Sequence, residues 1–163
     1  MEENQSESLK LANKQYIASI TLEQIKRLDA AMDAIDAKAG ILLGFTALLL
    51  TLVLGSTSPS KRTPAELFFV YGGVIALLAS ILMNILSILP RGLRYDPKLQ
   101  ALLKYTSKPF EETLSAVSAN LAEAWEFNSQ VHERKVEWLK RAFWCVLAGL
   151  LLLFLGFVVR TAC

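Results

Sequence analysis

The chain has 163 residues, 53% of them hydrophobic, with a mean hydropathy of +0.39 and a formal net charge of +2. One ordinary domain fits that length, but the composition is too apolar for a soluble one, because its long uncharged stretches would leave no polar surface to enclose them. So small a net charge also gives no footprint for nucleic-acid binding by the whole chain.

Residues 8–38 carry apolar side chains at Leu9, Ala12, Tyr16, Ile20, Ile25, Leu28, Met32 and Ile35, close to helical spacing, and no glycine or proline interrupts before Gly40. The pattern predicts one continuous helix that rises from the cytoplasm into a first membrane span at residues 39–55. Spans two and three are expected at residues 67–89 and 142–159. Each of the three stretches lacks charge and is about 17 residues or longer, enough to cross a hydrocarbon core of roughly 30 Å. The N-terminus lacks the basic start and apolar core of a cleaved leader, so span one is expected to serve as the insertion signal.

Pro59 and Pro64 separate the first two helices, with Pro64 placed where a missing N–H is harmless. Span two stops before Pro90. Asp96 and Pro97 read as the start of a short helix, and Ser107, Pro109, Glu111 and Glu112 read as the start of a second long helix that continues into span three. Residues 96–141 thus form a cytoplasmic helical region. The stripe Phe110, Leu114, Val117, Leu121 and Trp125 is expected to pack against Ile20, Ile25 and Leu28. The fold class is all-α: three transmembrane helices and a cytoplasmic helical stalk, residues 1–163 forming a single membrane domain.

Nine of the 17 basic residues lie between spans two and three. Basic flanks resist translocation, so this segment and the N-terminus are placed in the cytoplasm, and the loop holding Lys61 and Arg62 outside. Cys145, within span three, and Cys163 are about 27 Å apart along a helix, too far to bridge. Cys163 could pair only between chains.

Asp29, Asp33, Asp36, Gly40 and Gly44 follow steps of three and four on one helix face, and Gly40 and Gly44 form the GxxxG pattern that lets backbones approach in lipid. Ser80 and Asn84 lie on a similar face of span two with Gly73, Ala76 and Ser87. Helix packing through small residues and a water path in an oligomer both fit these faces. Lys38 lies about 200° around the helix from Asp36 and can extend its ammonium to the headgroups. Asp36 cannot, and needs a donor from a neighbouring helix or access to water.

Asn128, His132 and Lys135 supply one candidate donor set. With Lys38 and Arg141 taken as level, Lys135 falls near Met32 and His132 near Asp29, so this face could make stalk ion pairs with Asp29 and Asp33 or receive an anionic ligand. Arg91, Arg94, Tyr95 and Lys98 follow span two; they could contact anionic lipid headgroups, or grip a phosphate with guanidinium forks and stack a base on the aromatic face. Catalysis finds little support: the chain has one histidine and no CxxC, GxSxG, P-loop or GxGxxG motif. No cofactor and no metal site is expected, Asp29 and Asp33 alone being too few ligands for a cation.

The helix leading into Asp36-Ala37-Lys38-Ala39-Gly40, the Leu89-Pro90-Arg91 that closes span two, and the Lys135, Leu139, Ala142 approach to span three resemble, in that order, the membrane-spanning effectors of Pycsar anti-phage systems. The resemblance covers roughly residues 17 to 160. It implies a non-enzymatic effector of the bacterial inner membrane, a homo-oligomer in contact with lipid, silent until cCMP or cUMP activates it to impair membrane integrity. No separate β-rich nucleotide-binding domain is present, so any ligand site is expected in the helical stalk and connector. A helical membrane scaffold and an ion channel subunit without nucleotide gating are the alternatives.

Overall fold

The structure, a computed structural model, describes residues 2–56, 63–89, 92–93 and 109–162. Three α-helices carry the described chain: α1 (Glu2–Ser56), α2 (Pro64–Ile88) and α3 (Phe110–Ala162). Each is long and apolar enough to cross a membrane. The short helix expected after Asp96 lies outside the described residues.

Local chemistry sets the helix ends. Thr63 is the N-cap of α2, its hydroxyl accepting from the Glu66 N–H at 3.2 Å, with Pro64 at the first helical position. The Thr-Pro-Ala-Glu run has the capping-box spacing, and it starts the helix three residues before the uncharged stretch expected from residue 67. At the other end Leu89 leaves helical conformation at ψ 126°, as a residue preceding proline tends to do. The α3 helix opens on a bond from Thr113 N–H to Pro109 O at 3.1 Å, with Glu111 and Glu112 at the positive end of the macrodipole and Arg160 in its last turn.

The contacts divide into two units: α1 through Met32 with α3 through Glu133, and α1 from Asp33 with α2 and the remainder of α3. Each helix is buried along a seam that repeats about every 3.5 residues. On α2 the buried positions are Glu66, Val70, Gly73, Leu77, Ser80, Asn84 and Ser87, in alternating steps of four and three. On α3 they include Leu121, Ala124, Asn128, Val131, Lys135 and Ala142, and on α1 Ile25, Met32, Ile35, Ala39 and Thr46. This is the period of knobs-into-holes packing between helices that cross at shallow angles.

In the first unit Lys14 reaches Glu111 at 2.7 Å. Its apolar seam differs from the expected stripe. Leu121 and Ile25 are buried, but Phe110 and Trp125 are 57% and 40% exposed, and Ile20 is exposed as well. A 3.5-residue seam drifts away from a stripe drawn with a longer step, so Ala124 and Asn128 take the inner positions.

In the second unit small residues such as Ala39, Thr46, Gly73, Ser80, Ser87, Ala142 and Gly149 share the inner faces with Ile35, Leu77 and Lys135, and the largest apolar residues face outward. Phe68, Tyr71, Ile75, Leu82, Trp144, Leu151 and Phe157 are all exposed. A soluble protein would not leave that much apolar surface in water; in a bilayer it is the lipid-facing side.

Candidate functional site

The site lies in the second unit, where α2 runs antiparallel to α3. Gly73 and Gly149 bring these two backbones together: a Cβ on Gly73 would lie 2.7 Å from Leu153 Cγ and 3.1 Å from Gly149 O, and one on Gly149 would lie 3.1 Å from Leu77 Cγ. Gly156 meets Phe69 and Val70 one turn and more beyond. Lipid gives no hydrophobic drive for helix association, so small residues that permit close van der Waals contact take over that role.

Gly40 and Gly44, by contrast, approach nothing among the described residues. Both are exposed, and a Cβ at either would meet no atom within 4 Å. The small-residue face of span one, expected to look towards other helices, is open among the described residues, because the α1 seam runs through Ile35, Ala39 and Thr46 instead.

Asp36 sits beside that seam and its donor is Lys135. The Lys135 ammonium donates to Oδ1 at 2.7 Å and to Oδ2 at 2.8 Å. The lysine side chain is only 7% exposed and the aspartate side chain 36%. Lys135 occupies the inner position of α3 that follows Asn128 by seven residues, and an ammonium there is stable only with a counter-charge in reach. Its own carbonyl accepts from the Ser87 hydroxyl at 3.1 Å, so α1, α2 and α3 meet at one level.

The pairing shifts the register between α1 and α3. Lys135 is level with Asp36 rather than Met32, a displacement of about one turn or 6 Å. Matching Lys38 with Arg141 gave the other register; burial of Lys135 overrides it, since only Asp36 is near enough the seam to neutralise it. Asp33 is exposed and Asp29 half-buried. Asn128 and His132 belong to the first unit, the former fully buried on the seam and engaged with a neighbour, the latter half-buried. Arg91, Arg94, Tyr95 and Lys98 lie outside the described residues.

Deeper in the bundle the seam remains polar. Asn84 is one turn from Ser87, and Thr46 and Ser80 lie on the order of 10–15 Å from the ion pair along their helices. All three are fully buried. The Thr46 hydroxyl donates to Leu42 O at 2.7 Å, and Asn84 Nδ2 to Ser80 O at 3.1 Å. These bonds stay within single helices, as lipid demands when no water is at hand. Asn84 Oδ1 has no hydrogen-bond partner among the described residues. Thr46, Gly149 and Gly156 stand out along the chain only through a seven-residue step from Ala39 and from Ala142.

Three helices able to span a membrane, held together by close glycine contacts between α2 and α3 and by the Asp36–Lys135 ion pair between α1 and α3, define a helical membrane protein. The PycTM family, described as the Pycsar effector protein domain, matches residues 20–161, so the chain belongs to that family. It is a multi-pass transmembrane effector of Pycsar anti-phage defence, a system of cyclic pyrimidine nucleotide signalling. No curated protein and no solved structure matches it.

Proposed function

We propose that this effector lies in the bacterial inner membrane with its N-terminus in the cytoplasm, assembles with copies of itself, and is activated by cCMP or cUMP to impair membrane integrity. The observation that supports this most is the Asp36–Lys135 pair. Lys135 is a buried cation whose single carboxylate partner is one-third exposed. A cyclic mononucleotide carries one phosphodiester charge, so it can replace Asp36 charge for charge at the lysine. Asp36 is then released, and with it the hold between α1 and α3.

Arg91 and Arg94 support the reading. They follow Ser87 by four and seven residues, and Ser87 is bonded to the Lys135 backbone. Guanidinium groups at that distance along the chain, with Tyr95 and Lys98, suit a phosphate and a base. The open Gly40 and Gly44 face supports assembly, since it is a close-approach surface with no neighbour among the described residues. Basic residues concentrated between spans two and three support the orientation.

A ligand moves such an equilibrium only through its preference for one arrangement; inverting a ratio of 1:99 takes about 10⁴-fold. Calorimetric titration of cCMP and cUMP into detergent-solubilised protein tests the proposal, comparing wild type with Arg94→Ala and Lys135→Ala. Binding to wild type that both variants weaken is expected. No binding of either nucleotide by wild type removes the gating proposal.

An ion channel subunit without nucleotide gating is the second reading, favoured by the Asn84 carbonyl inside the bundle, which has no partner among the described residues. Constitutive ion flux in reconstituted vesicles, altered by Asp36→Asn, would select it.

A further inference from the structure

The outer surface of the second unit carries a groove between α1 and α3 with a volume of about 730 Å³, lined by neither Asp36 nor Lys135. That is within the range of small-molecule sites. Phe45, Phe143, Trp144 and Leu150 give it apolar walls, and Lys38 and Lys140 line it towards one end. Lys38 and Lys140 are exposed, and neither makes an ion pair or hydrogen bond with a described residue. They differ in this from Lys135, which is buried and paired.

Distance along the groove narrows the choice of occupant. From Lys140 to Leu150 the helix rises about 15 Å, half of a hydrocarbon core of roughly 30 Å. An apolar trough one leaflet deep, with two uncompensated ammonium groups where the leaflet meets its headgroups, is complementary to a single amphiphile. We infer that this groove binds an anionic phospholipid, one acyl chain along Phe45, Phe143 and Trp144 and the headgroup phosphate at Lys38 and Lys140. A zwitterionic lipid would fill the same trough but bring its own cation to the lysines. Near a membrane surface each lysine contributes about 1 kcal/mol towards an anionic headgroup, so two favour it by about tenfold or more.

The inference goes beyond nucleotide activation and does not depend on it: the measurement contains no nucleotide, so its failure leaves the gating proposal standing. Trp144 reports on the groove. In the full chain with Trp125→Phe and Trp138→Phe, reconstituted into phosphatidylcholine vesicles, Trp144 fluorescence is quenched by a small fraction of brominated phosphatidylglycerol or brominated phosphatidylcholine. The expected result is an apparent affinity about tenfold higher for the anionic lipid, lost in Lys38→Gln/Lys140→Gln and retained in Lys38→Arg/Lys140→Arg. Helical circular dichroism of each variant checks that the bundle is intact. Equal quenching by both lipids overturns the inference. So does protection of Trp144 from both, accompanied by crosslinking between cysteines placed at position 143 of two chains, which would assign the groove to a second copy.

Discussion

Lys135 holds both carboxylate oxygens of Asp36, at 2.7 and 2.8 Å, from a position that is itself almost fully buried. The two residues are 99 positions apart, and their contact fixes the register of two long parallel helices. A charged residue at an inner seam position specifies alignment because every other alignment strands the charge.

Removing the carboxylate should therefore cost more than removing the amine. Asp36→Ala leaves a buried ammonium unpaired and is expected to destabilise the bundle by about 3 kcal/mol. Lys135→Met leaves a carboxylate that already reaches solvent, and the expected loss is about 1 kcal/mol, close to that of an exposed pair. Thermal unfolding in detergent, run as a double-mutant cycle, measures both and their coupling. Equal costs would mean that Asp36 is as enclosed as Lys135 in the membrane.

The two classes of glycine should separate cleanly. Gly73→Ala drives a Cβ into Leu153 and the Gly149 carbonyl, with an expected loss of about 1–3 kcal/mol. Gly44→Ala meets nothing among the described residues and should leave unfolding within about 0.5 kcal/mol of wild type. If Gly44→Leu changes the size of the assembly by light scattering while unfolding is unchanged, that face is the contact between copies.

Ser87→Ala removes a bond from α2 to the Lys135 carbonyl, and about 1 kcal/mol should go with it. Asn84→Leu is expected to behave differently. Its carbonyl oxygen is buried without a partner among the described residues, so an apolar residue of similar size should be neutral or stabilising. Destabilisation by more than about 2 kcal/mol would show that water or a second copy supplies a donor at Asn84.

Expression links the ion pair to activity. Should release of Asp36 be the activating step, Asp36→Asn and Lys135→Ala should each depolarise cells in the absence of any cyclic nucleotide, and Lys135→Ala should show no further response to one. Membrane-potential dyes read both outcomes. A silent Asp36→Asn protein that still responds to nucleotide would place the trigger elsewhere.

The sequence by itself determined the helices and the solvent they face. Uncharged runs of membrane-crossing length, prolines at 64, 90 and 109, and acids at 111 and 112 are local signals, and α1, α2 and α3 follow them closely. It also singled out Asp36 as a carboxylate in need of a donor, and Lys135 as a candidate donor for its neighbours. Which carboxylate met which amine depended on the tertiary structure. Pairing charges at headgroup level is a statement about solvation, whereas the register follows the one lysine that packing encloses. The role of the glycines was likewise undecided along the chain, since Gly40, Gly44, Gly73 and Gly149 are alike in composition. Only the 3.5-residue seam, a property of helices already in contact, sends Gly73 and Gly149 inward and leaves Gly40 and Gly44 outside.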